Sequence, residues 1–215
     1  MHISSIITYF LQEGVPMETI RLILMLPVIA TLIAILRQVV GIKAFGVYTP
    51  LIVTFAFLAT GIKYGIFIFL AVIFTGVAMR FILKPFRLLY LPRVSVTLTV
   101  VAIVILGMLA IGGSLKRTGL ASVSIFPILI MIILVEKFVT VQIEKGNKIA
   151  FFLALETLVI SVLGYYLASW KIFIQFIIIY PWVILLTIPI NIVLGKWTGL
   201  RITEYYRFRE VIKNL

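Results

Sequence analysis

Val40-Gly41-Ile42-Lys43-Ala44-Phe45-Gly46-Val47-Tyr48-Thr49-Pro50-Leu51-Ile52-Val53-Thr54-Phe55-Ala56-Phe57 leads into an apolar run through two glycines and a lysine, then meets a proline. Proline inside a helix removes an amide donor and clashes with the preceding turn. In a bilayer such a break survives only where protein or a wet cavity satisfies the freed backbone groups. Thr118-Gly119-Leu120-Ala121-Ser122-Val123-Ser124-Ile125-Phe126-Pro127 repeats the layout, with glycine well ahead of proline and an apolar run beyond. The two stretches predict a pair of Gly/Pro-interrupted membrane segments.

Outward from this pair the chain is apolar almost throughout. It is 63% hydrophobic and only 12% charged over 215 residues, against roughly 45–50% and about 25% in soluble domains. The fold class this implies is an all-α integral membrane bundle. Seven apolar segments lie at about 20–39, 46–61, 63–84, 94–113, 119–138, 149–169 and 172–195, each near the length a helix needs to cross a bilayer. The second is short and its link to the third is only Gly61-Ile62-Lys63-Tyr64-Gly65, which predicts a tight hairpin. The alternative count is six, with one proline-bearing segment dipping in and returning. Residues 1–19 read as an interfacial helical segment, 20–197 as the seven-span domain, and 198–215 as a basic amphipathic tail. The start, Met1-His2-Ile3-Ser4-Ser5, lacks the basic region and small-residue cleavage site of a signal peptide.

The net charge of +12 is read through its distribution. With seven spans, Arg21, Lys63, Lys116, Arg117 and Lys171 lie on one side of the membrane. The other fourteen of the nineteen Lys and Arg lie opposite. The positive-inside rule then puts the amino terminus outside and the carboxyl terminus in the cytoplasm, in a cytoplasmic (inner) membrane. The same charge predicts contact with anionic lipid of the cytoplasmic leaflet and argues against nucleic acid. Arg80, Lys84 and Arg87 share a helical face beside Pro85 and Pro92, a pattern for lipid anchoring or partner docking. Trp170 and Trp197 bracket the last segment, as interfacial indoles do.

This topology sends Gly41–Pro50 in from the cytoplasm and Gly119–Pro127 in from outside. Spans one to three and four to six then read as inverted repeats, an arrangement whose broken helix ends offer unpaired amides and carbonyls to a midplane ligand. Among ionisable groups, Glu156 stands out within Leu153-Ala154-Leu155-Glu156-Thr157. A buried acid costs a few kcal/mol there, so it must face the bundle interior and a partner. Arg37, Arg80 and Lys137 are the ion-pair candidates. Gly41, Pro50, Gly119, Pro127, Glu136, Glu156 and Asn191 are the substrate-path candidates, with a structural ion pair as the competing reading of Glu156.

Catalysis is poorly provided for. There is no cysteine and no aspartate, and His2 is the only histidine. Thiolate chemistry, triads and most metal sites are thereby excluded. Glu136 and Glu156 are the one carboxylate pair for acid–base work or magnesium, and no nucleophile or phosphate cradle accompanies them. The expectation is a non-enzyme without cofactor or metal.

The motifs in order carry a family resemblance. Gly41-Ile42-Lys43-Ala44-Phe45-Gly46 with Pro50 and Phe57, then Arg93-Val94-Ser95-Val96-Thr97-Leu98-Thr99, Phe126-Pro127, Glu136-Lys137-Phe138, Ala154-Leu155-Glu156-Thr157 and Leu200 through Arg209 together resemble the bacterial seven-transmembrane domain usually fused to an inactive transglutaminase-like domain. The resemblance runs from about residue 20 onward. A fainter likeness, confined to the Gly…Pro stretches, is to the small membrane subunit of poly-γ-glutamate synthesis and export systems. The resemblance implies an extracytoplasmic transglutaminase-like domain ahead of the first span, where this chain carries some 19 residues. It also implies a cytoplasmic ATP-grasp ligase as partner, and a membrane component that translocates or anchors a peptide-like or polyglutamate-like product. The alternative is a scaffold holding partner proteins at the membrane.

Overall fold

A computed structural model describes residues 5–86, 88–114 and 125–196. Every regular element among them is helical. Gly119, the pair Lys116–Arg117, Arg87, Trp197 and the tail 198–215 lie outside the described residues. The chain divides into two compact units. One comprises Met1–Lys43 with Tyr166–Leu215, the other Ala44–Tyr165.

The first unit contains α1 (Ser5–Gln12) and α2 (Met17–Ile35), which widens into a π turn, Leu36–Val40. Gly41 ends that turn with φ 93°, donating its amide to Leu36 O at 3.1 Å. The left-handed backbone explains the glycine there. The apolar segment expected over 172–195 is two helices, α8 (Lys171–Ile179) and α9 (Thr187–Gly195), joined by a 3₁₀ stretch, Pro181–Leu186, with a bend of 100°. Tyr180 precedes the proline and leaves the helical region, at φ −121° and ψ 69°. A residue before proline is pushed out of the α region by its ring.

The second unit holds the main core. Its helices are α3 (Tyr48–Thr60), α4 (Ile62–Leu83), α5 (Tyr90–Ser114), α6 (Ile125–Lys145) and α7, which starts at Asn147 and runs to Ser169 just past the unit's end. α3 and α4 form the expected hairpin, turned by Gly61 alone at φ 78° and ψ 147°. α3 packs on α6, and α4 packs on both α5 and α6. Phe57, Phe69, Leu134 and Phe138 are wholly or almost wholly buried in the shared core. Phe45, just ahead of α3, meets Phe138, well along α6, edge to face at 6.4 Å. α3 and α6 are therefore antiparallel.

Pro50 does not interrupt its helix. It is the third residue of α3, where the missing amide would have had no intrahelical partner in any case. The break expected within the second segment lies ahead of it, between Gly41 and Gly46. Both glycines have positive φ, and so does Ala44 at 44°.

Among the described residues, four helical stretches are long and apolar enough to cross a membrane: Met17–Val40, Ile62–Phe86, Tyr90–Ala110 and Asn147–Ser169. The bent pair α8–α9 makes a fifth if it counts as one span, and α3 is shorter, at 13 residues.

Candidate functional site

Two candidates of the second unit, Glu156 and Pro50, meet at the bend ahead of α3. Leaving the left-handed turn, the amide of Ala44 donates to Glu156 Oε2 at 2.8 Å. The next amide, of Phe45, donates to Thr157 Oγ1 at 3.0 Å, and that hydroxyl donates to Leu153 O at 2.7 Å. One turn on, Ser161 Oγ lies 3.0 Å from Pro50 O and 2.8 Å from Thr157 O. Thr54 Oγ1 approaches Pro50 O at 2.8 Å and Ser161 O at 3.3 Å. Thr54, Thr157 and Ser161 are fully buried. Contacts advance along both chains together, so α3 and α7 run parallel along this polar seam.

Each element puts its residues there for a local reason. Thr157 and Ser161 lie one helical turn apart on one stripe of an otherwise apolar α7, with Glu156 beside Thr157. Small hydroxyls let backbones approach closely and bridge helices where no water competes. A non-glycine residue with φ of 44° is strained by about 1–2 kcal/mol, and Glu156 and Thr157 fix the amides on either side of that strained peptide. The arrangement can hold a bent chain in place. Its donors are already engaged, which leaves the bend poorly suited to bind a passing substrate.

Of the remaining candidates, Gly41 closes the π turn and Pro127 is a buried residue of α6. Glu136 and Lys137 are exposed on α6. Arg80 donates to the backbone carbonyl of Gln142, so α4 and α6 are clamped by charge to dipole. Arg37 lies half-buried in the π turn of the first unit. Asn191, also in that unit, donates through Nδ2 to Thr31 Oγ1 and to Thr187 O, both at 2.7 Å. We expect Asn191→Leu to lower stability by about 1 kcal/mol, the net worth of such bonds, measured by thermal unfolding in detergent. No three His, Cys, Asp or Glu side chains come together among the described residues.

Thr157 and Ser161 escape the candidate set because isolated hydroxyls are ordinary in membrane helices. The usable signal was their spacing of one turn, beside Glu156.

The family whose sequence pattern matches residues 4–212 is described as 7 transmembrane helices usually fused to an inactive transglutaminase. No curated protein and no solved structure matches the chain.

Proposed function

The chain belongs to this family of seven-transmembrane domains, and from that membership we propose a non-catalytic membrane component that anchors a peptide-like or polyglutamate-like product of a cytoplasmic ATP-grasp ligase. What favours anchoring over translocation is one observation. The amides released by the bend at Ala44 and Phe45 are taken up by Glu156 and Thr157 of the same unit. A translocation path would offer such groups to its cargo.

The reading has seven spans, amino terminus outside and carboxyl terminus in the cytoplasm of a bacterial inner membrane. It rests on the Lys and Arg asymmetry and on helical elements within each of the seven apolar segments. The inverted repeat is retained in modified form. α3 and α6 pack antiparallel, which suits two repeats facing each other through their second helices. An extracytoplasmic transglutaminase-like domain and the ligase are the partners of this reading.

Proteoliposomes carrying the chain test it. A fluorescent γ-linked glutamate oligomer is expected to be retained at the basic face and not to accumulate inside. Protein-dependent accumulation would overturn anchoring in favour of a path. Should the ligase co-sediment while the oligomer does not bind, the protein is a scaffold for partners, which the internally satisfied seam also suits.

A further inference from the structure

A second polar feature of the Ala44–Tyr165 unit takes no part in the seam. At the end of α4, the start of α5, the end of α6 and the start of α7, a pocket of about 260 Å³ is lined by Arg80, Phe81, Lys84, Arg93, Ile143 and Asn147. Three cationic side chains line it and no carboxylate does. Arg80 and Lys84 are one helical turn apart and share a face. Arg93 sends a terminal nitrogen to Leu88 O at 3.0 Å, while its Nε is buried without a hydrogen-bond partner. Asn147 Oδ1 is likewise buried and unpartnered. Just beyond the lining, Gln142, only 1% exposed, has an unpartnered Nε2.

Burying part of a guanidinium with a donor unpaired is costly, and an anion offsets that cost best through charge-assisted hydrogen bonds. The same pocket presents an acceptor, Asn147 Oδ1, which an anion alone does not satisfy. A fitting ligand thus carries a phosphate and, near it, a hydroxyl.

The surroundings indicate what that phosphate is attached to. Three of the apolar stretches long enough to cross a membrane, Ile62–Phe86, Tyr90–Ala110 and Asn147–Ser169, begin or end at this pocket, the depth of lipid headgroups. Its apolar walls, Phe81 and Ile143, are exposed, and so are the nearby Phe86, Leu89 and Leu91. Leu89 is 80% exposed, which suits contact with acyl chains. Basic pockets between membrane helices are a known mode of anionic headgroup recognition.

We propose that this pocket is a specific site for an anionic phospholipid with a hydroxyl-bearing headgroup, its phosphate held by Arg80, Lys84 and Arg93 and its hydroxyl by Asn147. The site is independent of the anchoring function above, and either can fail without the other.

Native mass spectrometry of the detergent-purified chain tests it, with dioleoyl phosphatidylglycerol and dioleoyl phosphatidylcholine titrated in parallel. Phosphatidylglycerol is expected to be retained preferentially, and Arg93→Gln to weaken it by about tenfold, the worth of one charge-assisted hydrogen bond. Because Arg93 also ties down Leu88, Lys84→Gln carries the test if that variant does not fold. Lys84 is exposed, and its loss is expected to weaken retention severalfold. Lys148→Gln, outside the lining, should change nothing. Equal retention of the two lipids, or a Lys84→Gln variant that binds like wild type, would overturn the site. Inorganic phosphate competing as strongly as the lipid would make it a free-phosphate site, and displacement by poly-γ-glutamate at lower concentration would make it a carboxylate site. Either result sinks the lipid assignment.

Discussion

Glu156→Leu is expected to lower unfolding stability by about 2–3 kcal/mol, the cost of stripping a buried donor of its acceptor. The Ala44 amide, on a residue only 6% exposed, loses the oxygen now 2.8 Å away. Glu156→Gln keeps a carbonyl oxygen at that position and is expected to cost much less. Thr157→Val removes the acceptor of the Phe45 amide and is expected to cost about 1–3 kcal/mol. The double variant Glu156→Leu/Thr157→Val should fall short of the sum. Both side chains fix one short segment, and once it is released the second loss matters less. Thermal unfolding in detergent, followed by tryptophan fluorescence, measures all four variants. A Glu156→Leu protein as stable as wild type would remove the seam as the holder of the bend. Equal damage from Gln and Leu would show that the charge, and not the acceptor, is what the bundle needs.

The bend was half legible: a break in this stretch was expected from its glycines and proline, but it was assigned to Pro50, and the left-handed positions lie ahead of it. The α3–α4 hairpin was legible, since the short link beginning at Gly61 leaves no room for another connection. The role of Pro50 was not legible. It lies inside an apolar run, and hydropathy does not reveal that its helix begins at Tyr48. Val47, which precedes α3, makes no side-chain cap, so the usual Ser, Thr, Asp or Asn start signal is missing. Glu156 was found by its cost in a membrane, yet its observed acceptor role serves a backbone amide, and a backbone partner leaves no trace in a search among Arg and Lys. The break at Tyr180–Pro181 hid in an unbroken apolar run with Pro189 further on. The cationic pocket was half legible: Arg80 and Lys84 share a face, but Arg93 and Asn147 reach it from other helices.

Gly65→Ala is expected to destabilise by about 2–3 kcal/mol, although alanine is the better helix former by about 1 kcal/mol. A β-carbon at Gly65 would stand 2.4 Å from Phe57 Cδ1 and 2.9 Å from Thr60 Oγ1, closer than such atoms can approach. Neither neighbour moves easily. Phe57 is fully buried and packs edge to face on Phe69 at 6.3 Å, and the Thr60 hydroxyl lies 2.9 Å from Ala56 O. The hairpin must therefore open, and the α3–α4 contact belongs to the same core as α6. Gly65→Leu is expected to leave no folded protein. Gly107→Ala on α5, where nothing lies within 4 Å, serves as the control and should be neutral or slightly stabilising. Phe57→Leu combined with Gly65→Ala is expected to recover part of the loss, since the smaller side chain vacates the space the new methyl needs. Melting temperatures of the four variants in one detergent decide the matter. A Gly65→Ala protein that melts with wild type would mean that the hairpin is looser than its geometry requires, and that the close approach of α3 to α4 is not what holds this unit together.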